Sequence, residues 1–358
     1  MKKILVIMLA LLTVFTLVGC SNNNTGEDQP EEPTEERKLV IYSPNSDTLI
    51  AAAETFGELH DVEIEILTKG TGECLESIVA EKDNPQADVI YGGVNYANAI
   101  NYTEYFMEYT AQGNDSLPEA YRNPNGYATY YGLDGSAALL VNTAELEKIG
   151  LTLDDIKGYA DLLRPELKAD ANGQKIAMGD AAASSSAWAE LTNMLLVMGD
   201  EPYDEKAWDY VKSFCGQLSG ILGSSSAIYK GVANGEYVVG VSYEDPCVKL
   251  LIDGAPDLAL VYPEEGAVWL PAGSAIIANC KHPNTAKEFM DWLISDEGQK
   301  EIAKSTCRPV NPNIPNVDKE LIPFSEINVA YEDIPFCGEH KTEWQAKFAE
   351  IFEENKQG

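Results

Sequence analysis

Basic side chains are scarce in this 358-residue sequence. It has 25 Lys and Arg residues against 58 Asp and Glu residues, which gives a formal net charge of −33. Nucleic-acid binding needs basic patches that neutralise phosphates, so the composition argues against a nucleic-acid partner. The same charge keeps the protein soluble and repels acidic surfaces.

Histidine is almost absent, and closely spaced cysteines are missing. His60, His282 and His340 fall in no HExxH or HxH spacing, so a histidine-based metal centre is not expected. No CxxC or zinc-type spacing occurs, and we predict neither a metal nor a cofactor. Disulfides and buried free thiols both stay open for the cysteines beyond the leader, which are Cys74, Cys215, Cys247, Cys280, Cys307 and Cys337.

The motifs of common enzyme classes are also lacking. No GxSxG nucleophile elbow occurs, and no serine precedes a lysine by three positions. In "GTGECL", Leu75 stands where GxGxxG needs its last glycine, and the GK[ST] of a nucleotide-binding P-loop is missing. Adjacent carboxylates such as Glu244 and Asp245 do not establish the facing pair of a hydrolase. We therefore do not expect an enzyme.

Long apolar runs are confined to the first twenty residues. "MKK" precedes "ILVIMLALLTVFTL", which is too short for a membrane span and is typical of a signal peptide. The following "LVGC" ends at Cys20 and resembles the lipobox of bacterial lipoproteins. This resemblance implies that residues 1–20 are a lipoprotein signal peptide and that Cys20 is the lipidation site. An ordinary secretory peptide with a chance cysteine is the alternative.

The segment after Cys20 lacks apolar side chains. "SNNNTGEDQPEEPTEER" has no aromatic and no aliphatic residue, so it cannot bury apolar surface. Residues 21–37 are predicted to form an acidic, disordered tether, with folded protein beginning near Lys38.

From Lys38 onward, strand and helix patterns alternate. "KLVIYSP", "VEIEIL" and "ADVIYGG" are predicted strands, separated by helices over "SDTLIAAAETFGELH" and "GTGECLESIVAEK". A second set has strands in "SAALLVN", "QKIAMGD", "YVVGVSYEDP" and "LALVYPEEG", and a helix over "SAWAELTNMLLVMG". Repeated βα units predict an α/β protein with a largely parallel sheet, in which ligands bind beyond the carboxyl ends of the strands. Further on, Thr285 and Glu288 are predicted to form a capping box, Ser295 to begin another helix, and "KTEWQAKFAEIF" to form the last helix.

Four longer stretches, taken in order, resemble a known family. They are "GTGECLESIVAEKDNPQADVIYGG", "YADLLRPELKADANGQKIAMGDAAASSSAW", "GVANGEYVVGVSYEDP" and "YPEEGAVWLPAGSAIIANCKHPNTAKEFMDWLISDEGQ". The chain resembles the extracellular solute-binding lipoproteins of ABC importers, in the ferric-iron and organophosphate branch. This resemblance implies a type II periplasmic-binding-protein fold, with two α/β lobes that are joined by crossing strands and close on a solute.

The resemblance also implies lobe boundaries, partners and a location. Lobe 1 is expected to comprise residues 38–137 plus 272–304, and lobe 2 residues 138–271 plus 305–358, with crossings near residues 137–142 and 266–274. The expected partners are a small anionic solute and the permease of an ABC importer. A lipid on Cys20 would hold the protein, as a monomer, on the extracellular face of the cytoplasmic membrane. A sensory lipoprotein without a transport role is the alternative of another class.

Residues 243–246 bear on the identity of the solute. The iron-binding members resemble one another in having adjacent tyrosines after the strand that ends "GEY…G". This chain has Tyr243 followed by Glu244, Asp245 and Pro246 there. Ferric iron is therefore the alternative solute, with the carboxylates as potential ligands.

Hydroxyl-rich helix starts favour an organophosphate, such as a sugar phosphate or an aminoalkylphosphonate. Helix N-termini offer free N–H groups and partial positive charge, to which side-chain hydroxyls can add hydrogen bonds. The organophosphate-type members resemble this chain in such loops, although three serines replace their Ser-Gly-Thr pattern in the first triplet. The alternative is that the serines only cap their helices. The predicted contacts of this kind are Ser43, Thr71, Gly72, Ser184, Ser185, Ser186, Ser224, Ser225 and Ser226.

Carboxylates are predicted at the other end of the solute. Glu244 and Asp245 would face an amine or several hydroxyl groups, or would instead form only a strand-end turn. Glu265 is a further predicted contact. The aromatic candidates for the cleft walls are Tyr229, Tyr42, Tyr91, Trp188 and Trp269.

Overall fold

Two β-sheets organise the chain in a computed structural model that describes residues 36–123 and 125–356. Each sheet has its own cluster of buried apolar side chains. The predicted signal peptide, Cys20 and residues 21–35 of the predicted tether lie outside the described residues.

The first sheet begins with the predicted βα units. Its early strands alternate with helices, and β1 pairs in parallel with both β2 and β3. Leu39 and Ile41 of the first strand are completely buried, as its apolar pattern predicts. These elements are β1 (Lys38–Ser43), α1 (Asp47–His60), β2 (Glu63–Thr68), α2 (Thr71–Ala80), β3 (Val89–Tyr91) and α3 (Tyr96–Asn101), followed by β4 (Thr129–Gly135).

The chain leaves the first sheet after β4 and forms the second sheet. The second sheet has the strand order β6-β7-β5-β8, and most of its helices pack on one core. Its elements are β5 (Ala138–Asn142), α4 (Thr143–Lys148), β6 (Ile176–Ala177), α5 (Ser185–Val197), α6 (Glu205–Cys215), α7 (Ser225–Ala233), β7 (Val239–Ser242), α8 (Glu244–Ile252) and β8 (Leu258–Val261).

The C-terminal third returns to the first sheet before its last helix packs on the second core. Strand β9 pairs antiparallel with β3 and β4, and the first sheet has the order β10-β4-β9-β3-β1-β2, with β11 beside β9. Phe348 and Phe352 of the last helix are buried in the second core. The elements are β9 (Ala267–Ile276), α9 (Pro283–Leu293), α10 (Asp296–Ile302), β10 (Arg308–Pro309), β11 (Val329–Ala330) and α11 (Ile334–Lys356).

Short 3₁₀ helices connect several of these elements. They span Thr103–Tyr105, Asn114–Ser116, Glu119–Tyr121, Leu153–Asp155, Ala160–Leu163, Pro165–Leu167 and Phe324–Glu326.

Both sheets are mixed, so the prediction of a largely parallel sheet is wrong. The first crossing runs between Gly135 and Ala138, and the return runs between Val261 and Ala267. Because β4 carries the chain out of the first sheet and β9 brings it back, the two strands are antiparallel neighbours. The predicted lobe boundaries stay a prediction. However, β10 pairs with β4 and β11 pairs with β9, so part of the segment 305–358, which was assigned to lobe 2, lies in the first sheet.

Local signals at the helix starts gave mixed results. Ser295 caps α10, since its hydroxyl accepts a hydrogen bond from the amide of Gly298 at 3.1 Å, as predicted. The predicted capping box is wrong, because α9 already begins at Pro283 and Thr285 lies within its first turn. Helix α8 was not predicted. Its Pro246 is tolerated in the first turn, where the missing N–H would have no helical partner.

Two further observations concern the described residues alone. Every helix among them is too short or too polar to cross a bilayer. The cysteines beyond the leader are all buried and form no disulfide among the described residues, which agrees with one of the two alternatives left open by the sequence.

Candidate functional site

The loops after β1, β2 and β3 meet at two glycines, Gly92 and Gly93. Their φ angles are 91° and 75°, which only glycine adopts without strain. A side-chain carbon on Gly92 would lie 2.1 Å from Oδ1 of Asn45, and one on Gly93 would lie 2.9 Å from Oγ1 of Thr71. The two glycines therefore bring the loop after β1 and the start of α2 to one end of the first sheet.

The predicted contacts in the first lobe differ in exposure. Ser43 is fully buried. Its hydroxyl donates to the carbonyl of Tyr91 at 2.7 Å and accepts from the amide of Asn45 at 3.1 Å. This serine therefore fixes the loop. Thr71 is half-buried and Gly72 is exposed in the first turn of α2, at the same end of the sheet.

Both serine triplets begin helices, as predicted. Ser184 caps α5 and Ser224 caps α7, and each hydroxyl accepts a hydrogen bond, at 3.4 Å, from the amide three residues on. In each triplet the first hydroxyl also lies within hydrogen-bonding distance of the third, at 3.0 Å from Ser186 and 3.3 Å from Ser226 respectively. Capping by the first serine is thus common to both triplets.

The two helix starts lie side by side at Gly179, just after β6. A side-chain carbon on Gly179 would lie 2.7 Å from Cβ of Ala187 in α5 and 3.3 Å from Cδ1 of Ile228 in α7. Both contacts involve residues near the start of a helix. The partial positive charges of two helix N-termini are therefore close together in the second lobe.

A groove of about 530 Å³ separates α3 of the first lobe from α5 of the second. Ser185 and Trp188 line its α5 wall, and Asn95 and Tyr96 line its α3 wall. The start of α11 also lines the groove, with Lys341 placing its ammonium nitrogen 5.7 Å from the centre of the Trp188 ring. The groove thus combines an exposed serine at a helix N-terminus with a nearby lysine.

The second triplet has other neighbours. Burial and the charges of Tyr229 and Asp245 raise the pKa of Tyr243 to about 12, although a hydrogen bond with Ser225 opposes the shift. Tyr229 itself is half-buried. The starts of α7 and α8 therefore bring these four polar side chains together in a separate cluster.

Glu244 is 1% exposed and is surrounded by protein donors. Arg308 donates to both carboxylate oxygens, with Nε 2.9 Å from each and Nη2 2.6 Å from Oε1. The hydroxyl of Tyr262 lies 2.5 Å from Oε1, and Nε1 of Trp269 lies 2.9 Å from Oε2. The predicted role of Glu244 at the solute is not favoured by this geometry, which makes it half of an internal ion pair.

Asp245 and Asp134 are two further carboxyl groups near Glu244. Asp245 accepts a hydrogen bond from the hydroxyl of Thr306, and burial raises its pKa. Asp134 is opposite Leu270 in the β4–β9 ladder, so both side chains lie on the sheet face that borders the groove. Asp134 is exposed in the strand, and its pKa is raised to about 7, first by desolvation and then by the charge of Asp245. Asp134 was not among the predicted contacts, because no motif marks it.

Glu265 stabilises a loop. Its carboxylate accepts hydrogen bonds from the amides of Tyr159 at 3.0 Å and Ala160 at 2.8 Å, at the start of a 3₁₀ helix. A side-chain carbon on Gly158 would lie 1.9 Å from Oε2 of Glu265, so the loop passes very close to the carboxylate. Like Glu244, this predicted contact is already bonded to protein donors.

The aromatic candidates fall into two groups. Trp188 lines the groove, and Tyr229 belongs to the cluster beside the second triplet. The others are buried in the first core, namely Tyr42, Tyr91 and Trp269. Within the described ranges, no group of three or more His, Cys, Asp or Glu side chains is arranged to hold a metal ion.

Comparison with known proteins agrees with this architecture. Residues 51–323 match the sequence model of the bacterial extracellular solute-binding proteins. A probable ABC transporter periplasmic-binding protein of Sinorhizobium fredii is 23% identical over 256 residues, which are 71% of this chain and 68% of that protein.

Solved structures with the same fold include binders of different solutes. The periplasmic binding protein AfuA from Actinobacillus pleuropneumoniae, with fructose-6-phosphate bound, is 26% identical, with a TM-score of 0.66 over 88% of this chain and 98% of that chain. Iron-bound HitA from Pseudomonas aeruginosa is 19% identical, with a TM-score of 0.67 over 88% of this chain and 99% of that chain. These similarities confirm the predicted two-lobe α/β fold of the type II periplasmic binding proteins.

Proposed function

Because the chain belongs to the bacterial extracellular solute-binding proteins, we propose that it captures a small anionic solute in the groove between its lobes. The solute would be an organophosphate, such as a sugar phosphate or an aminoalkylphosphonate. The single observation that carries this proposal is the exposed Ser185 at the N-terminus of α5, which lines the groove opposite Tyr96.

The α5 start suits an anion for three reasons. The first amides of a helix have no helical acceptor and point towards a bound anion, where the helix dipole is favourable. The hydroxyl of Ser185 can donate a further hydrogen bond. Lys341 adds a positive charge beside Trp188, which matters in a chain with a net charge of −33.

The similarity to AfuA supports the choice of a phosphate ester. That protein was solved with fructose-6-phosphate bound and is 26% identical to this chain. The other end of such a solute would carry hydroxyl or amino groups. In our proposal these groups are received by Asp134 and Asp245, since the carboxylate of Glu244 is taken up by Arg308.

Ferric iron is the second candidate solute. Tyr243 has Tyr229 and Asp245 close by, and the charges of these two neighbours raise its pKa. Anionic oxygens of this kind are suitable ligands for a hard cation. Asp245 is common to both candidates, but Ser185 belongs to the organophosphate site alone and the two tyrosines to the iron site alone, so the two candidates differ in these contacts.

The wider role follows from the family. We propose that the protein delivers its solute to the permease of an ABC importer, as a monomer held outside the cytoplasm by a lipid on Cys20. The family consists of solute-binding proteins, and we propose no catalytic activity. A sensory role without transport would leave solute binding unchanged, and deletion of the gene would then not reduce solute uptake by the cells.

The first prediction concerns the solute. Fructose 6-phosphate and 2-aminoethylphosphonate are expected to raise the thermal unfolding midpoint, since a ligand that binds only the folded state stabilises it. Ferric citrate serves as the competing probe. A rise with iron alone, together with a visible charge-transfer band, would contradict the organophosphate proposal and support the second candidate.

The Ser185→Ala variant tests the site. Loss of one hydrogen bond to a charged oxygen should weaken binding about 10- to 150-fold in calorimetry, because such a bond contributes roughly 1.5–3 kcal/mol. Ser225→Ala is the matched control, since it changes the same position of the second triplet. Loss of affinity in the control alone would move the site to the second triplet, and unchanged affinity in both would leave helix capping by the first serine as the role of each triplet.

A further inference from the structure

Glu332 is a carboxyl group that lines the groove with one oxygen unpaired. The residue lies just before α11 and is half-buried. The hydroxyl of Thr192 in α5 lies 2.5 Å from its Oε2. Its Oε1 has no hydrogen-bond partner in the described part of the chain and is open to solvent. This oxygen is therefore free to accept a hydrogen bond from a molecule in the groove.

The protein supplies Glu332 with few stabilising partners. Burial raises the pKa of this carboxyl group, the charge of Asp333 adds to the shift, and the hydrogen bond with Thr192 opposes it. A carboxylate that has lost part of its hydration without gaining a cation is stabilised by any further donor. A donor group of the solute would meet this need.

Secondary structure on both sides fixes the position of Glu332. Ala330 belongs to β11, which pairs with β9. Asp333 begins α11, where its carboxylate accepts a hydrogen bond from the amide of Phe336 at 3.1 Å and its own amide donates to the hydroxyl of Tyr203 at 3.2 Å. The backbone that carries the carboxylate is therefore held in place, which lowers the entropic cost of binding a solute there.

Helix α5 sets the distance between Glu332 and the proposed anion site. Ser185 begins this helix, and Thr192, which holds Glu332, lies about 10 Å further along the helix axis. Ser185, Trp188 and Thr192 follow one another at intervals of three and four residues, so they share one face of the helix. Trp188 lines the groove between the two ends. A solute that is bound at both ends must therefore extend along about two turns of α5.

We infer that Glu332 is a specificity-determining residue, whose carboxylate accepts a hydrogen bond from a hydroxyl group at the end of the solute remote from the anion. This inference rests on the proposed function and narrows the solute to phosphate esters as long as a hexose phosphate. Shorter solutes, such as 2-aminoethylphosphonate or methyl phosphate, would occupy only the end at Ser185. A sugar phosphate has several hydroxyl groups, so Glu332 receives one in addition to those assigned to Asp134 and Asp245.

The test compares Glu332→Gln with Glu339→Gln in the full chain. Glu339 lies on α11 at the same groove, but it is exposed and makes no hydrogen bond with other described residues, so both variants remove the same charge from the same place. Binding of fructose 6-phosphate, 2-aminoethylphosphonate and methyl phosphate is measured by calorimetry. We expect Glu332→Gln to weaken binding of fructose 6-phosphate about 5- to 10-fold, because a neutral acceptor binds a donor roughly half as strongly as a charged one. Glu339→Gln should change this affinity by less than about twofold.

The two short ligands separate this contact from general electrostatics. Removal of one negative charge from the groove should strengthen the binding of any anion slightly, and to a similar extent in both variants. Methyl phosphate and 2-aminoethylphosphonate should therefore bind equally well to Glu332→Gln and Glu339→Gln. The ratio of the affinities for fructose 6-phosphate and methyl phosphate should fall in Glu332→Gln alone. A purely structural role of Glu332 would instead change all three affinities together.

The outcomes separate this inference from the proposed function. If fructose 6-phosphate binds equally well to the wild-type protein and to Glu332→Gln, the inference is wrong and the proposed function stands. The same conclusion follows if the wild-type protein binds only the two short ligands, or if Glu332→Gln weakens all three ligands in parallel. If none of the three ligands binds to the wild-type protein, the proposed function and this inference fail together.

Discussion

Glu244 and Glu190 are equally buried carboxyl groups with opposite surroundings. Glu244 begins α8 and is 1% exposed, whereas Glu190 lies within α5 and is 0% exposed. Arg308, Tyr262 and Trp269 donate hydrogen bonds to Glu244. Neither oxygen of Glu190 has a hydrogen-bond partner among the residues described.

The difference shows that burial alone does not reveal the charge or the role of a carboxyl group. A buried carboxylate stays ionised when a cation and further donors replace its hydration, as they do at Glu244. Without such partners the neutral form is favoured, and burial accordingly raises the pKa of Glu190 well above its ordinary value of 4.5. Glu244 is therefore half of an ion pair, and Glu190 is a neutral acid.

The largest effect is expected on breaking the ion pair. Glu244→Ala leaves Arg308, which is 3% exposed, as an unpaired buried cation, so the free energy of unfolding should fall by about 3–5 kcal/mol. Urea unfolding at pH 7 measures this loss.

The double variant Glu244→Met with Arg308→Met is the control for this prediction. It removes both charges and fills a similar volume, so it should recover most of the lost stability. If Glu244→Ala changed the stability by less than 1 kcal/mol, the carboxylate would not be the half of an ion pair that distinguishes it from Glu190.

The sequence distance between interacting residues explains which parts of the molecule could be predicted. The caps at Ser184, Ser224 and Ser295 each depend on an amide three residues away, so a short stretch of sequence contains the whole interaction. The βα units from β1 to β3 depend likewise on local apolar periodicity. These features were predicted correctly.

Features that depend on distant segments were missed. Arg308 is 64 residues from Glu244, and "RPVNPN" carries no local sign of such a pairing. Glu244 was therefore interpreted as a solute contact from its position after a strand. Similarly, Asp134 gains its position near the cleft from the pairing of β4 with β9 across more than one hundred residues.

A smaller and opposite effect is expected at Glu190. Glu190→Met replaces an unpaired polar group by an apolar one of similar length, so it should raise the free energy of unfolding by about 1 kcal/mol or more at pH 7. Because the folded protein keeps a proton on Glu190 that the unfolded chain releases above about pH 4.5, wild-type stability falls as the pH rises beyond that value. The gain should therefore be larger at pH 8 than at pH 4.

Urea unfolding of both proteins at pH 4, 6 and 8 checks this prediction. Glu190→Gln is the matched control, since it removes the titration and keeps the shape and the polar atoms. A variant that is less stable than the wild type at every pH would mean that Glu190 has bonding partners after all, and the contrast with Glu244 would disappear.

The smallest effect concerns Asp134, a carboxyl group between these two extremes. It is exposed, and it has a pKa of about 7 through the protein around it and the charge of Asp245. Above that pH it is ionised, which adds a negative charge to the sheet face bordering the groove. Anion affinity should therefore fall two- to threefold between pH 6 and pH 8, a modest change because solvent screens an exposed charge.

Asp134→Asn should bind fructose 6-phosphate with less dependence on pH in calorimetry. The phosphate ester itself titrates in this range, so the comparison is between the two proteins at each pH. An identical pH dependence in the two proteins would show that the charge of Asp134 does not reach the solute.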